Sequence, residues 1–294
     1  MNQTVFQALV VCTGALATAA LAVAYFRRVR LERPAVGTFN SRDLTILFAF
    51  IVVLPAFYLV LPGVVLTGFL VLTFWSAMSI ALRPVLAARW RRPLVPALIA
   101  ADIAVTYTLL GTAHGLVLYW VLTDAAVLVA AVGVSNLYVQ GGLTLRPVAM
   151  FALALAAYDA FFSLVVPLTP ALAQAFEGRP LNASIGFAYH GYTANIGLGD
   201  LLLYGMFAAA AAKGFGRRGV VVALATVGLF GALAPSLAPL VTSHFDLGGA
   251  GFVVPAQVFF GPAAVAAAAW LRSSERRLPA PPVALRLGPL EVAR

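Results

Sequence analysis

Of the ten acidic residues in this 294-residue chain, four stand inside apolar runs: Asp102, Asp124, Asp159 and Asp200. A carboxylate at membrane depth costs roughly 2.5–3.5 kcal/mol on insertion scales, so its presence there points to function by default. Two of the four suit one reaction. Asp159 stands in Ala156-Ala157-Tyr158-Asp159-Ala160, and Asp200 in Asn195-Ile196-Gly197-Leu198-Gly199-Asp200. Two carboxyl groups held close together cannot both ionise, so they share a proton and titrate as a pair. In that state one takes a proton from an attacking water while the other donates to a peptide carbonyl. Gly197 and Gly199, lacking Cβ atoms, let another backbone come close or let a helix start loosely beside a cavity.

The elements that must position these groups are membrane helices. The chain is 62% hydrophobic and only 10% charged, with mean hydropathy +0.97. A bilayer is crossed by about 20 apolar residues, and nine such runs are expected: residues 5–26, 44–61, 64–82, 94–110, 116–134, 148–166, 196–212, 220–241 and 251–271. The basic cluster Arg27-Arg28-Val29-Arg30 follows the first run instead of preceding it, so that run reads as an uncleaved helix rather than a secretory signal. With the N-terminus outside, Arg179 is the one basic residue left on the outer side. Every other Lys and Arg falls in an inner segment, as the positive-inside rule requires. The expected fold is therefore all-α and polytopic, with nine transmembrane helices, the N-terminus outside and the C-terminus cytoplasmic. Residues 1–271 make the membrane domain. Residues 272–294, with Pro279-Ala280-Pro281-Pro282, make a basic Pro-rich tail expected to be disordered. The long connection between Pro167 and Asn195 is expected to be functional or to carry structure of its own. In this arrangement the sixth and seventh helices are antiparallel neighbours. Asp159 and Asp200 then both lie roughly 6–11 Å below the outer boundary, at 1.5 Å per residue.

Tyr158-Asp159 in the sixth run and Gly197-Leu198-Gly199-Asp200 in the seventh resemble the presenilin and signal peptide peptidase family of intramembrane aspartic proteases. That family also has nine transmembrane helices, and a Pro-Ala-Leu motif opens its ninth. The corresponding stretch here is Pro255-Ala256-Gln257-Val258-Phe259-Phe260-Gly261-Pro262, with glutamine in place of leucine. The resemblance implies that Asp159 and Asp200 are catalytic, with Tyr158, Gly197, Leu198, Gly199, Pro255, Ala256 and Gln257 supporting the site or the substrate. It implies cleavage of transmembrane helices or signal peptides within the bilayer, without a cofactor. The backbone around Gly197-Leu198 and Pro255-Ala256 would frame a locally unwound substrate in an added-strand arrangement. The expected orientation is that of signal peptide peptidases; presenilins are inverted. If the third side chain of the Pro-Ala-x motif merely packs, Gln257→Leu preserves or raises cleavage; burying an amide requires a hydrogen-bond partner or water.

Other readings of the same residues exist. Asp159 and Asp200 could be structural, hydrogen-bonded to Tyr158 or Tyr204, and Pro255 could simply begin a helix. Asp102 and Asp124 match no motif and read as buried, paired or water-contacting structural acids. A proton-coupled transporter or ion pathway would instead use all four acids as a relay. Prepilin peptidases share Gly-x-Gly-Asp but place a large cytoplasmic loop and other flanking residues around it, and neither occurs here. His114, His190 and His244 fall in outer turns without metal-ligand spacing, and no His-Glu-x-x-His is present, so no metal site is expected. Gly133-Val134-Ser135-Asn136 lacks the second glycine of serine intramembrane proteases, leaving Ser135 as a polar residue near a helix end. The single cysteine, Cys12, excludes a disulfide framework. The net charge of +9 is accounted for by the inner loops, so nucleic acid is not an expected partner; the lipid bilayer is.

Overall fold

The computed structural model describes residues 3–32, 37–164, 175–176, 178–189, 192–238 and 255–276. It is a bundle of helices interrupted by one β-hairpin. The helices are α1 (Gln3–Arg28), α2 (Ser41–Val60), α3 (Gly63–Leu82), α4 (Ala88–Thr108), α5 (Ala113–Gln140), α6 (Leu145–Leu164), α7 (Leu198–Thr226) and α8 (Ala256–Arg276). Among the described residues, six helical stretches are long and apolar enough to cross a membrane, the longest running Leu198–Ala238. Helices α4 and α8 are of similar length but carry more polar residues, including Arg89, Arg91 and Arg92 in the first and Gln257 and Arg272 in the second. Large apolar side chains such as Val60, Val64 and Leu72 stand more than two-thirds exposed. Such a surface suits hydrocarbon and would be an aggregation hazard in water.

Local chemistry sets several helix ends. Asn40 caps α2 by accepting from the backbone N–H of Arg42 (2.8 Å), while Asp43 Oδ2 accepts from the Asn40 N–H (2.7 Å). This is a reciprocal capping box. Thr112 caps α5 through its hydroxyl, which accepts from Gly115 N–H at 3.0 Å.

Helix α7 is the centre of the bundle and packs on α1, α5, α6 and α8. It is bent back on itself at Gly216, whose φ of 56° and ψ of −135° interrupt the helical geometry. That φ favours glycine, which has no Cβ to clash. The two arms then meet: the Tyr204 hydroxyl in the first donates to the Gly231 carbonyl in the second, at 2.7 Å. Gly231 belongs to a π-helical stretch, Val227–Leu233. A Cβ there would lie 2.8 Å from Tyr204 Cζ, so glycine makes room for the ring. The expected seventh and eighth runs correspond to these two arms.

Small residues allow close helix contacts elsewhere. A Cβ on Gly261 of α8 would stand 2.7 Å from Ala156 Cβ and 2.8 Å from the Ala152 carbonyl of α6. Without strong hydrophobic drive in lipid, such contacts are a main source of packing energy.

Three expectations need correction. The fold is not purely α: β1 (Ser184–Tyr189) and β2 (Tyr192–Gly197) pair antiparallel, with Ser184 opposite Gly197 and Tyr189 opposite Tyr192. Ile196, expected to open the seventh helix, ends up in β2, because the β-branched residues Ile185 and Ile196 pack as a cross-strand pair on Gly14 of α1. Residues 272–276, expected in the disordered tail, extend α8 instead; residues 277–294 lie outside the described residues. Finally, Ser135 does more than stand near a helix end. Helix α5 continues to Gln140, and Ser135 is fully buried, donating to the Leu202 carbonyl of α7 at 2.9 Å.

Candidate active site

The site forms where α6, the start of α7 and the start of α8 meet. Asp159 lies on α6 five residues before its last residue, Leu164, and Asp200 lies in the first turn of α7. The two carboxyl groups act on each other electrostatically, and the charge of both reaches Tyr204. Asp200 also sits where helix N–H groups are unsatisfied, a position that favours a carboxylate by about 0.3–1 kcal/mol.

The third element brings Gln257. Its Nε2 donates to Asp200 Oδ1 at 2.5 Å. Pro255 stands immediately before α8, its carbonyl accepting from Val258 N–H at 3.2 Å, and Ala256 is the first helical residue. Gln257 therefore has the partner that its burial demanded. The condition under which Gln257→Leu would preserve cleavage, that the side chain merely packs, is not met, because the side chain holds one of the two carboxylates. Phe260, one turn on, is fully buried against Tyr204 and Phe207, with ring centroids 4.7 Å and 5.4 Å away. That aromatic contact seats the start of α8 beside α7.

Tyr158 is turned into an aromatic cluster with Phe162 (4.5 Å between centroids) and Phe48 (6.3 Å). Tyr204, offered as a structural partner for the acids, instead spends its hydroxyl proton on Gly231. Gly197 and Gly199 have ordinary backbone angles, and the space over them is open. A Cβ at Gly197 would meet only Asp200 Oδ2, at 3.9 Å, and one at Gly199 nothing within 4 Å. Of the two roles expected for these glycines, a loose helix start does not apply, since α7 begins directly at Leu198. Among the described residues, nothing obstructs the surface they leave beside Asp200.

The hairpin runs straight into this surface. Leu198 N–H donates to the Ala183 carbonyl at 2.7 Å, which extends the pairing to the first residue of α7. In an antiparallel ladder the pairs alternate, so the opposite pairs 184–197, 186–195 and 188–193 turn their backbone groups outward. On β1, the outward Gly186 N–H is taken by Asp124 Oδ1 at 3.0 Å. On β2, the outward groups are those of Thr193, Asn195 and Gly197. Thr193 and Asn195 are exposed. Among the described residues no further strand pairs with this edge of β2, which leads into the turn of α7 that carries Asp200.

Asp102 and Asp124 are not part of the pair but hold the segment that leads to it. Asp102, fully buried in α4, accepts from the Thr123 hydroxyl (2.7 Å) and from Leu181 N–H (2.6 Å). Leu181 has φ 52°, a left-handed conformation that costs a non-glycine residue about 1 kcal/mol or more. Asp102 thus stabilises a strained turn just before the hairpin. The Tyr119 hydroxyl adds a bond to the Arg179 carbonyl at 3.0 Å. The sequence marked these acids as needing partners, but gave no sign that the partners were backbone groups 62 and 79 residues away. Of the two acids, expected to be buried, paired or water-contacting, Asp102 is buried and Asp124 half-buried, and both are paired with backbone groups; His190 and His244 lie outside the described residues.

This clamp makes a prediction. Asp124→Asn keeps an oxygen that can accept from Gly186, so the hairpin stays in place. Asp124→Ala leaves that N–H without its acceptor, a loss of about 0.5–1.5 kcal/mol. Amide hydrogen exchange at residues 184–189 is expected to accelerate about tenfold in the alanine variant and to be unchanged in the asparagine variant. Equal protection in both would show that Asp124 does not hold the strand.

In comparisons with known proteins, no family model matches the chain and no curated protein matches it in sequence.

Proposed function

We propose that the protein is an intramembrane aspartic endopeptidase with nine transmembrane spans, using Asp159 and Asp200 to activate water against a peptide bond. The observation that carries this reading is the meeting of three separate segments at one point. Helices α6, α7 and α8, which carry Asp159, Asp200 and Gln257, pack on one another, and Gln257, two residues after Pro255, binds Asp200 directly. The open backbone at Gly197 and Gly199 and the free edge of β2 lie beside that point.

The chemistry follows from the pair. One carboxylate takes a proton from the attacking water as its oxygen bonds to the scissile carbonyl carbon. The other carboxyl donates its proton to the carbonyl oxygen, giving a neutral tetrahedral intermediate. Collapse returns a proton to the leaving amine and breaks the C–N bond. Water has to be admitted to the pair, because hydrocarbon supplies none.

A transmembrane helix hides its carbonyls in its own hydrogen bonds, so the substrate must unwind locally. Unwound backbone in the membrane needs new partners, each unsatisfied group costing several kcal/mol. The outward groups of Thr193, Asn195 and Gly197 offer those partners as an added strand.

The transporter reading would have all four acids in one relay. Against it, Asp102 and Asp124 are occupied by Leu181, Thr123 and Gly186 rather than by the other acids. The deciding experiment incubates the purified protein with a labelled single-span peptide and maps products by mass spectrometry. Cuts within the membrane segment are expected. An intact peptide under conditions where the protein is folded would reject the reading.

A further inference from the structure

Gln257 has two polar ends, and only one is accounted for. The side chain is 2% exposed. Nε2 is committed to Asp200, while Oε1 is buried without a hydrogen-bond partner among the described residues. An orphaned buried acceptor costs about 1–3 kcal/mol. Turning the amide over would not relieve the site, since Nε2 would then be the orphan and Oε1 would find a donor only while Asp200 holds the shared proton. With Nε2 on Asp200, the orphan oxygen lies one amide group away from that carboxyl.

A donor must reach it for that cost to be recovered. An extended peptide lying along β2 uses alternate backbone groups to pair with Thr193, Asn195 and Gly197, and turns the remaining N–H groups the other way. Hydrocarbon offers those N–H groups no acceptor, so a protein acceptor beside the acid pair stabilises the bound strand. Resting on the protease reading, we infer that Gln257 is a substrate-binding residue in its own right: Oε1 accepts a backbone N–H of the extended substrate next to the scissile bond, while Nε2 holds the Asp200 carboxylate in line with it. A single side chain would thus set the substrate strand and the catalytic carboxylate in register. Leucine at this position provides neither contact.

The two halves separate in kinetics. Losing the Nε2 contact lets Asp200 turn, which lowers kcat. Losing Oε1 removes a contact made to the bound peptide, which raises KM. Gln257→Leu is expected to do both.

The discriminating test is a series of synthetic single-span peptides in which one amide near the cleaved bond at a time is replaced by an ester. The ester keeps the carbonyl and deletes the N–H. At one position the wild-type protein is expected to lose about tenfold in kcat/KM, equivalent to one hydrogen bond. Gln257→Leu is expected to lose nothing further at that position while matching wild type in its sensitivity at all others. If the leucine variant turns over too slowly, the same comparison is made by competition binding against a labelled peptide, with the same expected pattern. Ester effects identical in the two proteins at every position would overturn the assignment and leave the protease reading standing. Failure of the wild type to cut any all-amide peptide would overturn the protease reading, and this inference with it.

Discussion

Asp200→Asn and Asp159→Asn are each expected to abolish cleavage while leaving the protein folded and inserted. Asparagine is nearly isosteric with aspartate and keeps the shape of the site. In Asp200→Asn the remaining Oδ1 can still accept from Gln257 Nε2, so the contact between α7 and α8 survives. What is lost is proton transfer, because an amide neither takes a proton from water nor gives one to a carbonyl. General acid–base catalysis by one such group is worth about 10²–10⁴-fold, and here the two groups act as a unit. The measurement is single-span peptide cleavage, read against thermal unfolding of each variant. Substantial cutting by either asparagine variant would end the aspartic-protease proposal. Asp102→Asn and Asp124→Asn, each keeping an oxygen acceptor for the linker backbone, are the contrasting pair and are expected to retain activity. The reverse pattern would favour a proton pathway through those acids.

The second large effect concerns the direction of the substrate. On the proposed nine-span topology, the positive-inside rule puts the N-terminus outside, with α6 running outward and the first arm of α7 running inward. Strand addition at β2 is directional, since a peptide can satisfy the outward groups of Thr193, Asn195 and Gly197 in the productive register in only one sense. The resemblance to signal peptide peptidases, which share this orientation, implies substrates whose N-terminus is cytoplasmic. Cleavage is expected in the outer half of the bilayer, nearer the substrate's C-terminal end, because that topology puts Asp159 and Asp200 near the outer ends of their helices. One transmembrane sequence presented in both orientations in cells, tagged at each end, measures this. At least a tenfold preference for the cytoplasmic-N form is expected. Equal cutting, or preference for the opposite orientation, would refute the directional model even with the acid pair confirmed.

The sequence by itself determined the helices and the four acids. Apolar runs of about 20 residues leave the backbone no option but helix in a membrane, because only internal hydrogen bonds can satisfy it there. Expected and observed boundaries differ by a few residues, as between residues 148–166 and Leu145–Leu164 for α6. The proposed pairing of Asp159 with Asp200 could be read from the sequence because consecutive antiparallel helices and a fixed rise per residue set both near the joined ends of their helices. Only the tertiary structure decided the rest, and the reason is common to each case. The hairpin at 184–197, the hold of Asp124 on Gly186, the strained Leu181 clamped by Asp102, and the contact of Ser135 with Leu202 all depend on groups far apart in the chain. Polar side chains in those runs announced that they needed partners, but a backbone N–H or carbonyl leaves no mark in a sequence. Gln257 is the sharpest instance. Its amide was visible as a departure from leucine, and its burial demanded a partner. That the partner is Asp200, 57 residues earlier, follows only from the packing of Phe260 against Tyr204 and Phe207, which sets the start of α8 beside the first turn of α7.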